Sequence, residues 1–407
     1  MLLAAIPAVR LFADPLPLFL IESIEVDGGS RATDRIVIAE SRLHLMQTYD
    51  ESDLRAAMAR IQRLPFIVST DFRLAKGTAP EKYVLIIRIR RMTPLFLDAE
   101  TNAQWVHLTR AEPTPSGGVR FVSRLGRRDE NHVIAGARLF TGANGVLTAT
   151  GERVSLRNDR YTLTFSEYDL FGTRASITAV ASYLESPGAV RSGDPLARND
   201  WHHRDNVTFE IIGVLPITGS DSLRAAWQHE ELPGRYNAIS PIDGHLHYVL
   251  RSLPEISKEL FWIHDTTNDP LIPTSGTRWT LGGTRVSAPT ASATSVGGVQ
   301  YRELQATFEH TIPVFDSQAL TLGGTGLQFN RAIRNYTAFA VYGYDLSSHV
   351  RSGDLRLELG GRKEIFTVHQ RLGGSHISQA FVNGSAVYRN VWGVLRFTVE
   401  YEGWERQ

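Results

Sequence analysis

The chain has 407 residues, 42% hydrophobic and 21% charged, with 43 basic side chains against 43 acidic ones and no cysteine. Zero formal charge removes the broad basic field that nucleic-acid binding needs, so no nucleic-acid partner is expected. The lack of cysteine excludes a disulfide scaffold, a thiolate metal site and a Cys nucleophile, and no run approaches the roughly 18 consecutive apolar residues of a membrane-spanning helix.

Residues 1–20 read as a leader or the remnant of a secretory signal. Met1 to Val9 and Leu16 to Ile21 are apolar, but Arg10 and Asp14 interrupt them and no Lys or Arg precedes them.

Residues 21–92 read as a small α+β domain of order βααββ. Ile21 to Val26 is a short strand, ended by the turn Asp27-Gly28-Gly29. Thr33 and Asp34 are expected to cap a helix reaching about Leu43. Asp50 opens a clearer helix, with Glu51 and Asp53 placing negative charge on its first turn. Leu54, Ala57, Met58, Ile61 and Leu64 form one apolar stripe, Arg55, Arg60 and Arg63 lie off it, and Pro65 stops the helix. Strands follow from Phe66 to Leu74 and from Lys82 to Arg91, joined by a turn at Gly77 to Pro80.

From residue 95 to 407 helical periodicity gives way to period two. In Arg302 to Phe308, Leu304, Ala306 and Phe308 alternate with Glu303, Gln305 and Thr307. Arg174 to Ala179, Leu355 to Leu359 and Arg396 to Tyr401 behave likewise. About fourteen such segments occur, mostly of 8 to 12 residues. Tilted membrane strands need about 9 to 11 residues, whereas strands of soluble domains average about 5 to 6. One oily and one polar face suit a wall between lipid and a wet lumen. Every backbone group in hydrocarbon must be paired, so the sheet must close. The expected fold is an all-β transmembrane antiparallel barrel of about 12 to 16 strands, preceded by the α+β domain. Trp201, Trp227, Trp262, Trp279, Trp392 and Trp404 suit either interfacial girdles or cross-strand packing.

Several segments carry a resemblance. Tyr49 to Leu54, Arg63 to Phe66 and Asp71-Phe72, set in the βααββ order, look like a POTRA domain. Asp265-Thr-Thr-Asn268-Asp-Pro270-Leu-Ile-Pro273-Thr-Ser-Gly276 resembles a periplasmic turn of the BamA/TamA family. Two prolines fix φ there, and Gly276 permits positive φ before the chain re-enters the sheet. Tyr168 to Ile177 resembles an "Asn-Leu-Phe-Gly-x-Gly" turn that has lost its second glycine. Gln370-Arg371-Leu372-Gly373-Gly374 to Gln379-Ala380-Phe381 resembles the family's lumen loop, with Gln379 and Ala380 in place of the arginine and glycine of its tip. No charged lock is expected at that tip, because a neutral amide cannot replace a guanidinium fork; Arg371 is the alternative.

The resemblance implies a barrel in the bacterial outer membrane with the N-terminal domain in the periplasm. It implies insertion of client barrels or translocation of polypeptide, with no enzymatic activity and no cofactor. The POTRA-like domain would dock clients by strand addition. Implied partners are unfolded outer-membrane or secreted proteins, outer-membrane lipid and accessory assembly subunits. A passive channel, and an anchor or secretion barrel for a patatin-like passenger, are the alternatives. Only 26 residues follow Phe381, room for about two strands where the family pattern needs four or five, so an incomplete or smaller barrel with open edges is expected. No catalytic motif or phosphate loop is present. His202, His203, His229, His245 and His247 cluster in the middle third; His245 and His247 would share one face of a strand and could bind a metal, but solvated loops or the membrane interface suit them better, and no metal is expected.

Overall fold

The computed structural model describes residues 17–404, apart from 114–118, 142–143, 155–157, 186–205, 240–245, 293–294, 330–332, 351 and 371–372. Arg371, Leu372, His202, His203 and His245 therefore lie outside the described residues.

The N-terminal domain runs β1 (Phe19–Asp27), α1 (Arg31–Ser41), β2 (Gln47–Tyr49), α2 (Glu51–Gln62), β3 (Ile67–Lys76) and β4 (Lys82–Arg91). The three-residue β2 is an addition to the expected order. The sheet order is β2-β1-β4-β3, with β1 parallel to β4 and β3 antiparallel to β4. The cap of α1 is Ser30, not Thr33 or Asp34. Ser30 N–H donates to Thr33 Oγ1 at 2.7 Å, closing a capping box. Asp50 caps α2 as expected, accepting from Asp53 N–H at 2.8 Å.

The stripe Leu54, Ala57, Met58, Ile61 and Leu64 is buried against Ile21, Ile36, Phe66, Leu85 and Ile87. Burying such side chains stabilises by about 1.5–3 kcal/mol each. This core does not end with the domain. Val146 and the partly buried Phe140 and Tyr168, from the barrel, pack into it, and Phe140 meets Phe66 edge-on at 5.0 Å.

The wall comprises β5 (Leu95–Pro113), β6 (Val119–Phe140), β7 (Gly145–Val154), β8 (Asn158–Glu167), β9 (Ser176–Glu185), β10 (Asn206–Pro216), β11 (Asp221–Ile239) and β12 (Leu246–Asp265). It continues through β13 (Gly276–Ser292), β14 (Ser295–Phe315), β15 (Gln318–Phe329), β16 (Ile333–Asp345), β17 (Gly353–Gln370), β18 (Gly373–Asn390) and β19 (Gly393–Trp404). These fifteen strands form a closed barrel. Neighbours in sequence pair antiparallel, and β19 closes on β5 in parallel, from Leu395↔Ala99 to Tyr401↔Trp105. Such a pair is what an odd number of strands requires. The open edges expected at the end of the wall are thus a closed seam. Strand length also departs from expectation: β6 has 22 residues and β14 has 21, because hairpins continue past the band that a membrane would cover.

Alternation sorts the side chains as the sequence suggests. Leu304, Phe308, Leu357, Leu359, Phe397 and Tyr401 face outward and are exposed. Their neighbours Glu303, Glu358 and Glu400 face the lumen. There Arg224 pairs with Glu259 at 2.6 Å, and Arg362 pairs with Glu400 at 2.8 Å. In hydrocarbon the outward set is at home and the inward set is not. Trp262 and Trp279 satisfy both readings of the tryptophans. Trp262 is exposed on the outer face, and its ring lies 5.6 Å from that of Trp279 on the adjacent strand. Trp392 is exposed on the turn between β18 and β19.

Gly373, Gly374, Gln379 and Phe381 are not on an infolded loop. They belong to wall strand β18, where Gln379 registers with Glu364 and Phe381 with Arg362. Phe381 still looks into the lumen, with the Arg362 guanidinium 4.2 Å from its ring centroid. β17 and β18 stay paired from Gly353↔Asn390 to Gln370↔Gly373, so the described part of this segment has no slack to fold inward.

Candidate functional site: a latched barrel mouth

The N-terminal domain packs against the end of the barrel that carries the turns after β6, β8, β10 and β12. The turn between β12 and β13, residues 266–275, leaves the wall and runs across this mouth. It reaches β17 and β18, four and five strands further round from β13. Thr267, Asp269 and Ile272 are buried within it.

Local chemistry explains the shape. Asp269 Oδ1 accepts from Leu271 and Ile272 N–H, each at 2.8 Å, which tightens the tip around Pro270. Asn268 Oδ1 accepts from Thr274 N–H at 2.9 Å and Ser275 N–H at 3.1 Å, closing the base. Pro273 turns its carbonyl toward Arg356, whose guanidinium donates to it. Gly276 has φ +111°, and a Cβ there would come within 2.4 Å of Thr266 O. Asp265, at the foot of the turn, pairs with Arg63 at 2.8 Å and Arg278 at 3.0 Å. The five residues singled out in this run, Asp265, Asn268, Pro270, Pro273 and Gly276, therefore lie together and build one turn.

The strongest contact is one the sequence did not announce. Arg389 on β18 forks onto Asp269, with Nη2–Oδ2 at 2.7 Å and Nη1–Oδ1 at 3.2 Å. Its Nε donates to Asp354 on β17 at 3.0 Å, and Arg90 of β4 reaches Asp354 at 3.1 Å. Gln62 of α2 donates to Asp269 at 2.6 Å. The chain Arg90–Asp354–Arg389–Asp269–Gln62 links domain, wall and turn. Arg389 and Asp269 are nearly buried, so each depends on the other to offset lost hydration. A charged lock exists after all. It comes from the β12–β13 turn and β18, not from the tip of a lumen loop.

Arg60 and Arg63 also exceed their sequence reading. Their place off the apolar stripe does not itself say what they contact. Arg60 is buried, with Nη2 donating to Ser41 O at 2.5 Å and Nη1 to Gly219 O at 3.2 Å. Arg63 donates to Thr267 O at 2.9 Å. Helix α2 thus has two buried faces, one toward its own sheet and one toward the barrel turns. A basic pair three residues apart is the only local hint, and it is a weak one.

Strand β3 completes the site. Among the described residues it pairs only with β4, so its other edge is free of strands. Gln62 covers the first part, donating to Val68 O and accepting from Thr70 N–H. Ser69, Thr70, Asp71 and Phe72 border a cavity of about 730 Å³ that also touches Asn268, Asp269, Asp354 and Arg389. Among the described residues no group of His, Asp or Glu could hold a metal ion.

No protein-family model matches the sequence, and no curated protein matches it either. Solved structures do resemble the fold. CdiB from Escherichia coli is 11% identical with a TM-score of 0.50, the match covering 98% of this chain and 89% of that one. BamA from Haemophilus ducreyi lacking POTRA domains 1–3 is 12% identical with a TM-score of 0.46, covering 95% and 82%. CdiB from Acinetobacter baumannii is 8% identical with a TM-score of 0.41, covering 95% and 74%. At these identities the likeness is one of fold: the chain has the architecture of an outer-membrane β-barrel preceded by a small domain.

Proposed function

We propose that the protein resides in the bacterial outer membrane, with its POTRA-like domain in the periplasm, and assembles or translocates polypeptide there in the manner of BamA/TamA-type proteins. The observation that carries this reading is the free edge of β3 at the mouth of the barrel, beside the latched turn. An unfolded chain adding to that edge would be held by backbone hydrogen bonds, which tolerate many sequences. It would arrive next to Asp269 and Gln62, where binding can compete with the latch. No covalent step and no cofactor is needed. The fold shared with CdiB over nearly the whole of both chains supports the reading.

The test is photo-crosslinking in proteoliposomes. A photoreactive amino acid at Arg73, exposed on β3, is expected to label a urea-unfolded outer-membrane barrel protein offered from outside. The same group at Arg35, exposed on α1, is the control. Equal labelling at both positions, or none at Arg73, rejects strand addition. A passive channel is the second reading. It is favoured by one observation: the segment resembling a lumen loop is wall strand β18. Steady conductance of the wild-type barrel in planar bilayers, with no acceleration of client folding, would establish it.

A further inference from the structure

A second cavity, of about 700 Å³, opens where the domain meets the turns after β8, β10 and β12. Arg42, Arg60, Arg63 and Arg174 line it. Their acidic neighbours are few. Glu40 lies 3.7 Å from Arg42, Asp53 lines the cavity, and Asp265 is shared between Arg63 and Arg278. Four guanidiniums therefore line the cavity, against the carboxylates of Asp53 and Asp265 in its lining and Glu40 behind Arg42.

The guanidiniums are satisfied in part by carbonyl oxygens. Arg42 donates to Thr218 O at 2.6 Å, and Arg60 to Ser41 O and Gly219 O. Carbonyls supply acceptors but no neutralising charge. The Nε atoms of Arg42, Arg60 and Arg63 are buried without a hydrogen-bond partner. Arg60 is 7% exposed, and no carboxylate comes within ion-pair distance of it among the described residues. Burial, with Arg42 beside it, pulls Arg60 down to about 10. A buried guanidinium without a counter-ion is an expensive arrangement unless something anionic occupies the space.

The rim supplies the second half of the observation. Phe171, next to the cavity wall at Gly172, is 93% exposed, and Ile217, in the wall, is 53% exposed. Leu45 and Met46 are exposed beside Leu43. An arginine-lined cavity with an apolar lip, at the end of the wall, suits a group that is anionic at one end and oily at the other.

We propose that this cavity binds the phosphate of an anionic phospholipid headgroup from the periplasmic leaflet, with Arg60, Arg63 and Arg174 on the phosphate and Phe171 and Ile217 against the acyl region. The inference rests on the barrel being embedded in a membrane, not on the handling of clients. A chain that stays soluble and monomeric without detergent would refute the embedding before any lipid is added.

The test uses the full chain in maltoside detergent, which carries no phosphorus. Dihexanoyl phosphatidylglycerol and inorganic phosphate are titrated separately, with binding followed by native mass spectrometry and phosphorus NMR. One saturable phosphatidylglycerol per chain is expected. Arg60→Gln and Arg174→Gln should each weaken it about tenfold, since each removes a charge-assisted contact. Phe171→Ser should weaken phosphatidylglycerol and leave inorganic phosphate unchanged. If Arg60→Gln does not fold, Arg174→Gln decides alone, because Arg174 sits on a half-exposed turn outside the core. No saturable binding, or binding indifferent to Arg174→Gln, overturns the site. Inorganic phosphate binding as tightly as the lipid overturns the lipid assignment.

Discussion

At the scale of single residues, the sharpest consequences concern Asp269 and Arg174. Asp269→Asn keeps the tip turn, since an amide oxygen can still accept from Leu271 and Ile272 N–H, but it leaves Arg389 with Asp354 alone. Removing one partner of a nearly buried pair costs about 3–5 kcal/mol. The turn should leave the mouth, and conductance in planar bilayers should rise severalfold over wild type; unchanged conductance would mean that the turn does not obstruct the bore. Arg174 has φ +62°, at the position where the resembling turn carries its second glycine. Arg174→Gly should relieve strain and raise stability by about 1 kcal/mol, measured as a higher melting midpoint. It should also lose the lipid, so stability and binding would move in opposite directions. Gly276 was legible in the sequence as a positive-φ position because the turn pattern around it is local. The Asp269–Arg389 pair was not, because the partners are 120 residues apart: the turn pattern that contains Asp269 names no partner for it, and Arg389 lies in no motif.

At the scale of elements, helix α2 shows what periodicity can and cannot reveal. Its apolar stripe is read directly from a 3.6-residue period, and the structure buries it. Its second buried face is made of Arg60, Arg63 and Gln62, whose burial depends on carbonyls and carboxylates of barrel turns some 160 to 210 positions away. Polar residues on a helix read as solvated until a neighbour is known. The same reasoning accounts for β18. Its start, through Phe381, resembles a lumen loop in the local sequence, and only the pairing to β17 shows it to be wall strand. The element-scale prediction follows from α2. Gln62→Ala removes its bonds to Asp269, Val68 and Thr70 while leaving the apolar stripe intact. A neutral hydrogen bond contributes about 0.5–1.5 kcal/mol, so the domain should stay folded by circular dichroism. Hydrogen exchange should rise in residues 266–275 and at the start of β3 together; a rise in one without the other would uncouple the latch from the β3 edge.

At the scale of the whole molecule, the wall has one weak line. Among the described residues, the seam of β19 with β5 is parallel and holds seven registered pairs, whereas the shortest antiparallel neighbours in the wall hold nine. Parallel pairing is also slightly less stable per residue. If polypeptide leaves the lumen sideways into lipid, this line is where separation costs least. The chain contains no cysteine, so paired cysteines can be introduced on a clean background. Leu395 and Ala99 form the first registered pair of the seam. Leu395→Cys with Ala99→Cys, bridged by a short bis-thiosulfonate, should leave the barrel folded and its melting midpoint equal or higher. Client folding in proteoliposomes should fall at least tenfold and return on reduction. A bridged barrel that works at the wild-type rate would place the exit elsewhere, through the lumen or along the outer face. The latch and the seam can then be compared directly, because Asp269→Asn would rescue a block at the mouth but not one at the wall.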